Sequence, residues 1–466
     1  MNERLIEKPV LAITMSSSMA LRNFFQTDVI ADLQRHFTVE VFASPSIART
    51  LSSLGFDSSV RVTAIETGAE PRFWRYMRQI KKKVYMEGRA SATEAIWEKY
   101  QIRPAYQRVG GWIVKRLIRV MNADRLYVWL ESIDLAVNRD ARFAPLLREK
   151  KVSVFFATHA TSYWEECLVR SAMSADVPRL YMVLSWDHLS SKVLLHSNFG
   201  RVLVWNRHTR EELLATYSSY RPDQIEVVGI PQFDSFSTKP NHTYETWCAQ
   251  YGLDPSRRTI LFSTMPQVRH DQQHLIVEDL LNAITEGKDV PADYQVLIKC
   301  HPFDNFEGYG ALLGRYPVAW RRTRLAAGQS IDEWIPSPAE VEESRDCLYF
   351  CSIDINIFST VTIEAAWFDK PVIHIAYDPL PIERGRIPCY EYYNWEHFRH
   401  IVEKDAGILV QSAEELFEAI RRYSADPSFK AEGRRRVVET YIGNRLGNGA
   451  EDVVAAVCKF YLASAT

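Results

Sequence analysis

The sequence predicts an α/β protein built as two doubly wound parallel sheets, on three observations. Short, continuous apolar runs recur in both halves, separated by segments of helix length, which is the order of a parallel sheet with crossover helices. The chain has 466 residues, more than one hydrophobic core normally serves. A Gly-Pro break, Gly229-Ile230-Pro231-Gln232-Phe233-Asp234, separates the two series of runs.

The first series opens with Val10 to Met15, a buried strand running into Ser16-Ser17-Ser18, a helix over Asn23 to His36 and a strand over Phe37 to Phe42. Strand, small polar turn, helix and strand make a βαβ unit. The turn lacks the G-x-G-x-x-G spacing of a dinucleotide site. From Phe73 to Asn138 the pattern becomes helical, basic and aromatic, with Arg75, Arg78, Lys81, Lys82, Lys83, Lys115, Arg116, Arg119 and Arg125 beside Trp97, Trp112 and Trp129. This insertion either presents a basic face to anionic lipid at the inner face of the cell membrane or forms solvated helices over buried aromatics. Strands resume at Val152 to Ala157, Arg179 to Leu184, Arg201 to Trp205 and Gln224 to Val228. Residues 1–234 thus form the expected first domain, with an insertion around 73–138.

The second series runs through Thr259–Ser263, Gln295–Lys299, Asp354–Phe358, Val372–Ile375 and Gly407–Val410, with helices at Asp271–Ile284, Thr362–Phe368 and Ala413–Tyr423. Residues 235–445 are the expected second domain. Residues 446–466 carry a last helix, Ala450 to Ser464, able to cross back to the first. Two such sheets leave one cleft between the carboxyl ends of their strands, where ligands of open α/β sheets bind.

Composition narrows the function classes. Apolar residues make up 47%, charged residues 24%, and the formal net charge is −2, so no nucleic-acid partner is expected. The seven cysteines include no C-x-x-C pair, which fits reduced thiols in a cytoplasmic protein and no thiolate metal site. No signal peptide and no run of about 18 apolar residues is recognisable.

The sharpest chemistry lies in the second half. Ile298-Lys299-Cys300-His301-Pro302 places a lysine and an imidazole at a strand tip. Asn356-Ile357-Phe358 runs into Ser359-Thr360-Val361-Thr362-Ile363-Glu364, a strand, a hydroxyl-rich turn and a helix start. Helix amides, with Ser359, Thr360 and Thr362, suit a phosphate, and His301 can donate to the same diphosphate as it leaves. Glu364 is placed for ribose hydroxyls. Each residue also has a plainer role, as helix cap or dipole compensation. Gln267, after the first strand of this half, is a further candidate for base or phosphate.

These motifs, with Lys370-Pro371-Val372-Ile373, Val227 to Asp234 and the closing Asn444-Arg445-Leu446-Gly447-Asn448-Gly449-Ala450, resemble the donor half of GT-B enzymes. The chain is similar to bacterial surface-carbohydrate transferases, namely the CDP-glycerol glycerophosphotransferases and the His-Pro-motif sialyl and Kdo transferases. More distantly it resembles UDP-N-acetylglucosamine 2-epimerases. The resemblance implies a metal-independent glycosyltransferase with two Rossmann-like domains and no cofactor. Its donor would be a nucleotide-activated sugar, CMP- or CDP-linked by preference with UDP as the other option. Its acceptor would be a saccharide or lipid-linked saccharide for a surface polysaccharide or glycolipid.

In the first half, Asp187 in Ser185-Trp186-Asp187-His188-Leu189 and His159 in Ala157-Thr158-His159 are rival general bases for the acceptor hydroxyl. A nucleotide-sugar 2-epimerase is the competing enzyme, and it requires several acidic groups about the sugar ring. A binding module without catalysis is the third option.

Overall fold

The computed structural model describes residues 8–464 apart from 57–59, 103, 160–161, 193–194, 196–198, 303, 305–307, 317, 323–335 and 444–446. Part of the closing Asn444 to Ala450 motif therefore lies outside the described residues. The first sheet is built from β1 (Val10–Met15), β2 (Thr38–Ala43), β3 (Arg61–Ala64), β4 (Val152–Ala157), β5 (Arg179–Met182), β6 (Arg201–Val204) and β7 (Ile225–Val227). Its seven strands lie in the order β3-β2-β1-β4-β5-β6-β7, all parallel. The second sheet takes β8 (Arg258–Ser263), β9 (Tyr294–Cys300), β10 (Ala319–Arg322), β11 (Ile353–Asn356), β12 (Val372–Ile375) and β13 (Ile408–Val410). Its order is β10-β9-β8-β11-β12-β13, again all parallel. Chain order reverses beside β1 in one sheet and beside β8 in the other, creating two switch points at strand carboxyl ends.

The central strands form where helices cover both faces of the sheet. In β1 all of Leu11 to Met15 are buried, and β8 is buried from Thr259 to Ser263. The edge strands differ. β3 is exposed or half-buried throughout, and β10 reads Ala-Trp-Arg-Arg. The helix expected over Asn23 to His36 is two helices, Ser18–Phe25 and Val29–His36. Thr27 divides them, because its hydroxyl donates to the Asn23 carbonyl at 2.6 Å and accepts from the Val29 amide.

The insertion consists of helices Arg72–Gly88, Ala92–Tyr100, Ala105–Met121 and Ala123–Val137 around Met77, Val84, Val114, Leu126 and Leu130. Its cations do not share one face. Lys81 is buried between Glu131 and Asp134, and Lys83 meets Glu87, Glu94 and Glu98. Arg170 of the sheet domain joins Asp134 at 2.8 Å, which fastens the insertion to the body. Nor are all the tryptophans covered, since Trp112 and Trp129 are exposed.

The last helix, Gly449–Ser464, packs Val453, Val457 and Phe460 into the first core with Leu33 and Phe37. Asp234 accepts the Gly449 and Ala450 amides at 3.0 and 2.9 Å, capping the start of that helix. A Cβ on Gly449 would stand 2.7 Å from the Ile230 backbone, so only glycine allows this crossing.

Candidate functional site

Two strand tips of the second sheet, on either side of β8, face the cleft. At the end of β9 the His301 amide donates to the Thr264 hydroxyl at 2.8 Å, and the Thr264 amide donates to the Lys299 carbonyl at 3.0 Å. The tips of β8 and β9 are thereby locked together. Past β11, Phe358 takes φ +45°, a left-handed conformation that is uncommon for a bulky residue and typical of constrained functional turns. Its ring is held by Tyr392, Trp395 and Phe398, and its amide donates to the Tyr393 hydroxyl at 3.1 Å. The bend turns Ser359 and Thr360 into the cleft.

The helix that follows, Val361–Trp367, has seven residues. Its opening amides already have partners: Val361 on the Ser359 hydroxyl, Thr362 on the Ser359 carbonyl and Ile363 on the Thr360 carbonyl. So short a helix with occupied amides offers an anion little. Side chains supply the positive potential instead.

A cavity of about 370 Å³ between the sheets is lined by Ser18, Arg22 and Gln232 from one side and by Lys299, His301, Arg321, Ser359, Thr360 and Glu364 from the other. It is of the size that takes a small ligand. Burial lowers the pKa of Arg22 and of Lys299, and Glu364 opposes that shift in both. The two cations therefore share one carboxylate across the cleft. Arg22 Nε is buried without a hydrogen-bond partner among the described residues. Burial, helped by Lys299, pushes His301 down to about 4, so near neutral pH it is an uncharged imidazole. Arg321 is partly committed, with Nε on Glu343 at 2.9 Å and Nη2 on the Glu340 carbonyl at 2.8 Å.

The cavity gathers Lys299, His301, Ser359, Thr360 and Glu364 but leaves out two of the expected donor contacts. Thr362 is fully buried and exchanges hydrogen bonds with the Asn356 side chain. Asn356 and Ser263 donate to Asp354 at 2.7 and 2.8 Å, and burial pushes that carboxyl up to about 6. Thr362 thus braces the sheet rather than facing a ligand. Gln267 lies outside the cavity lining, in a loop whose Arg269 is held between Trp97 and Trp395. Arg22 and Arg321 carry no motif signal. Arg22 follows an apolar helix face, and Arg321 stands on an edge strand.

Asp187 and His159 are not part of the cavity lining. Ser185 lines the cavity and donates to Asp187 at 2.5 Å, and the Trp186 indole N–H donates to Thr360 Oγ1 at 3.2 Å. The rings of His159 and His188 meet edge-on at 5.5 Å. Residues 160–161 of the stretch after His159 lie outside the described residues. Glu212, on helix Arg207–Thr216, carries no motif signal. Burial raises its pKa, Arg89 opposes the rise, Glu396 and Asp187 add to it, and the result is about 7. Such a carboxyl suits proton transfer at neutral pH.

That shift has a measurable sign. The native state keeps a proton on Glu212 that the unfolded chain releases near pH 4.5. Stability therefore falls as pH rises from about 4.5 to about 7, by roughly 3 kcal/mol in all. In Glu212→Gln the melting temperature should fall less across this window and lie above wild type at pH 8. Parallel pH profiles for the two proteins would refute the assignment.

No protein family matches the sequence, and no curated protein matches it. Solved structures do. A UDP-N-acetylglucosamine 2-epimerase matches with TM-score 0.55 and 11% identity over 98% of this chain and 97% of its own. The UDP-GlcNAc 2-epimerase of Neisseria meningitidis matches with TM-score 0.54 and 12% identity over 97% and 100%. A glycosyltransferase of Rickettsia africae matches with TM-score 0.50 and 13% identity over 97% and 99%. The fold is GT-B. At these identities the likeness extends to the architecture alone. The GT-B fold places the facing carboxyl ends of two Rossmann-like sheets around one cleft, and here the cavity of Arg22, Lys299 and His301 lies in it.

Proposed function

We propose that this protein is an enzyme that holds a nucleotide-activated sugar in the cleft and transfers the sugar, or a sugar-like polyol phosphate, to a saccharide or lipid-linked saccharide. The observation that carries this reading is the cavity lined by Arg22 from one sheet domain and by Lys299 and His301 from the other. Cations from both sides, with the Ser359 and Thr360 hydroxyls, suit the diphosphate of such a donor. Glu364 would accept hydrogen bonds from the ribose. For a sugar, the acceptor hydroxyl oxygen attacks the anomeric carbon while the bond from that carbon to the phosphate oxygen breaks; for a polyol phosphate, it attacks the outer phosphorus while the bridging P–O bond breaks. The electron pair passes to the phosphate, where the cations and the His301 N–H stabilise it. Asp187, His159 or Glu212 takes the hydroxyl proton. The neighbour from Neisseria meningitidis holds UDP-GlcNAc, which favours a uridine nucleotide over CMP- or CDP-linked donors.

A second reading, a nucleotide-sugar 2-epimerase, is favoured by one observation. Asp187 and Glu396 lie close enough to raise the Glu212 pKa, so the fold collects acidic groups that the sequence kept far apart. Proton removal from a sugar carbon needs such a group.

The test has two arms. A thermal-shift screen with UDP, CDP, CMP, GDP and their sugar conjugates should find a ligand that stabilises by roughly 2.7 kcal/mol at 100 times its dissociation constant. If none shifts the melt, nucleotide binding is refuted. Chromatography of the best donor incubated alone then separates the two readings. An epimer formed without acceptor identifies the 2-epimerase, and an unchanged donor that is consumed once acceptor is added identifies transfer.

A further inference from the structure

We infer that the solvent face of the Ala105–Met121 helix docks the protein on an anionic lipid surface. The inference goes beyond the donor site, because docking requires no nucleotide.

The helix carries Arg108, Lys115, Arg116 and Arg119 and no acidic residue. Gly111 and Val114 on its inner side are buried against the rest of the insertion. The outer side leaves large apolar groups in water, with Val120 84% exposed, Trp112 60% and Val109 58%. At 100° per residue Val109, Ile113, Arg116 and Val120 share one stripe, with Trp112, Arg108 and Arg119 along one flank and Leu117 along the other. This is a patch rather than scatter. Among the described residues, thirteen of the nineteen exposed large apolar side chains lie between Phe73 and Val137. Contiguous apolar exposure of that kind marks an interaction surface.

Charge selects the occupant. Lys115 is already paired with Glu98 at 2.8 Å. Arg108, Arg116 and Arg119 have no ion-pair partner among the described residues, and the Arg116 guanidinium lies 5.2 Å over the Trp112 ring. Aromatic and cation therefore stand at one level, as at a membrane–water boundary. A bilayer with anionic headgroups satisfies both components, hydrocarbon for the stripe and negative charge for the arginines. A second copy docked symmetrically through this face would set the three arginines against their own equivalents. Arg108 and Trp112 on its flank also border a cavity shared with Glu98, Glu383 and Arg384, while Val109, Ile113 and Val120 lie outside that lining.

Sedimentation of the full chain with phosphatidylcholine vesicles, with and without phosphatidylglycerol, tests the inference. The protein should pellet with the anionic vesicles, and pelleting should weaken as salt rises. Arg119→Gln should lower the partition coefficient about five-fold, and Val120→Asp should lower it further. Both sites are exposed, so melting temperature and nucleotide-induced shift should stay at wild-type values in either variant. No pelleting, equal pelleting on neutral vesicles, or variants that pellet like wild type would each overturn the proposal. Light scattering that shows a dimer dissolved by Val120→Asp would overturn it in favour of a second copy.

Discussion

Replacing His301 by alanine is expected to lower turnover by about 10²–10³ while the protein stays folded. The expectation rests on where the imidazole sits and on its charge. It follows the β9 tip, with its own amide held by Thr264. Burial and Lys299 bring its pKa down to about 4, so the ring is neutral at working pH and acts through one N–H. A fixed donor aimed at charge that develops only in the transition state accelerates the reaction more than it tightens ground-state binding. The loss should therefore fall in kcat, with nucleotide affinity changed much less. Gln, which keeps an N–H donor, should recover part of the rate. The depressed pKa also fixes a stability effect. Between about pH 6.5 and 4 the unfolded chain takes up a proton that native His301 refuses, so stability is lost as pH falls through that window. His301→Ala should lose less than wild type there. Unchanged turnover would remove His301 from the reaction. A melt that collapses while activity per folded molecule persists would make it a structural residue.

What the sequence made legible follows burial. Strands such as β1, β8 and β9 read as apolar runs because helices cover both of their faces. Edge strands β3 and β10 carry no such run, and Arg61–Ala64 looks like any polar loop. The strand-tip candidates His301, Ser359 and Thr360 were legible for a related reason. The end of a buried parallel strand is marked by the switch from apolar to polar residues, and in this architecture that point faces the cleft. Thr362 shows the limit of such reading. A threonine two residues past the turn looks the same in sequence whether its hydroxyl meets a ligand or the Asn356–Asp354 pair, and only the direction of the short helix decides. Glu212 and Arg22 lie beyond that limit. Glu212 stands in a charged run, Arg-His-Thr-Arg-Glu-Glu, that reads as a solvated helix face. Its shift arises from burial where the first sheet domain, the insertion and the second domain meet, with Arg89 opposing it and Glu396 and Asp187 adding to it.

Arg22 is the residue through which the first domain would reach the donor, and Arg22→Ala is expected to weaken binding of a nucleoside diphosphate by tenfold to about a hundredfold. It sits on the Ser18–Phe25 helix beside β1, and it lines the cavity opposite Lys299 and His301. Its Nε is buried without a hydrogen-bond partner among the described residues, and Glu364 is the charge it faces. A buried guanidinium with donor capacity to spare is suited to phosphate oxygens. A hydrogen bond to a charged group contributes roughly 1.5–3 kcal/mol, which sets the size of the loss. Lysine at this position keeps the charge but not the planar fork, so Arg22→Lys should fall between alanine and wild type. The phosphate dependence separates a ligand contact from a packing role. Titration calorimetry with UDP and with uridine should show the UDP affinity falling in Arg22→Ala while the uridine affinity holds. An equal fall for both ligands would mean that the helix has shifted and Arg22 only packs. No fall for either would mean that the diphosphate lies elsewhere. The stability of Arg22→Ala is the internal control. The substitution removes the cost of burying a guanidinium and leaves Glu364 to Lys299, two effects of opposite sign, so its melting temperature should stay near that of the wild type.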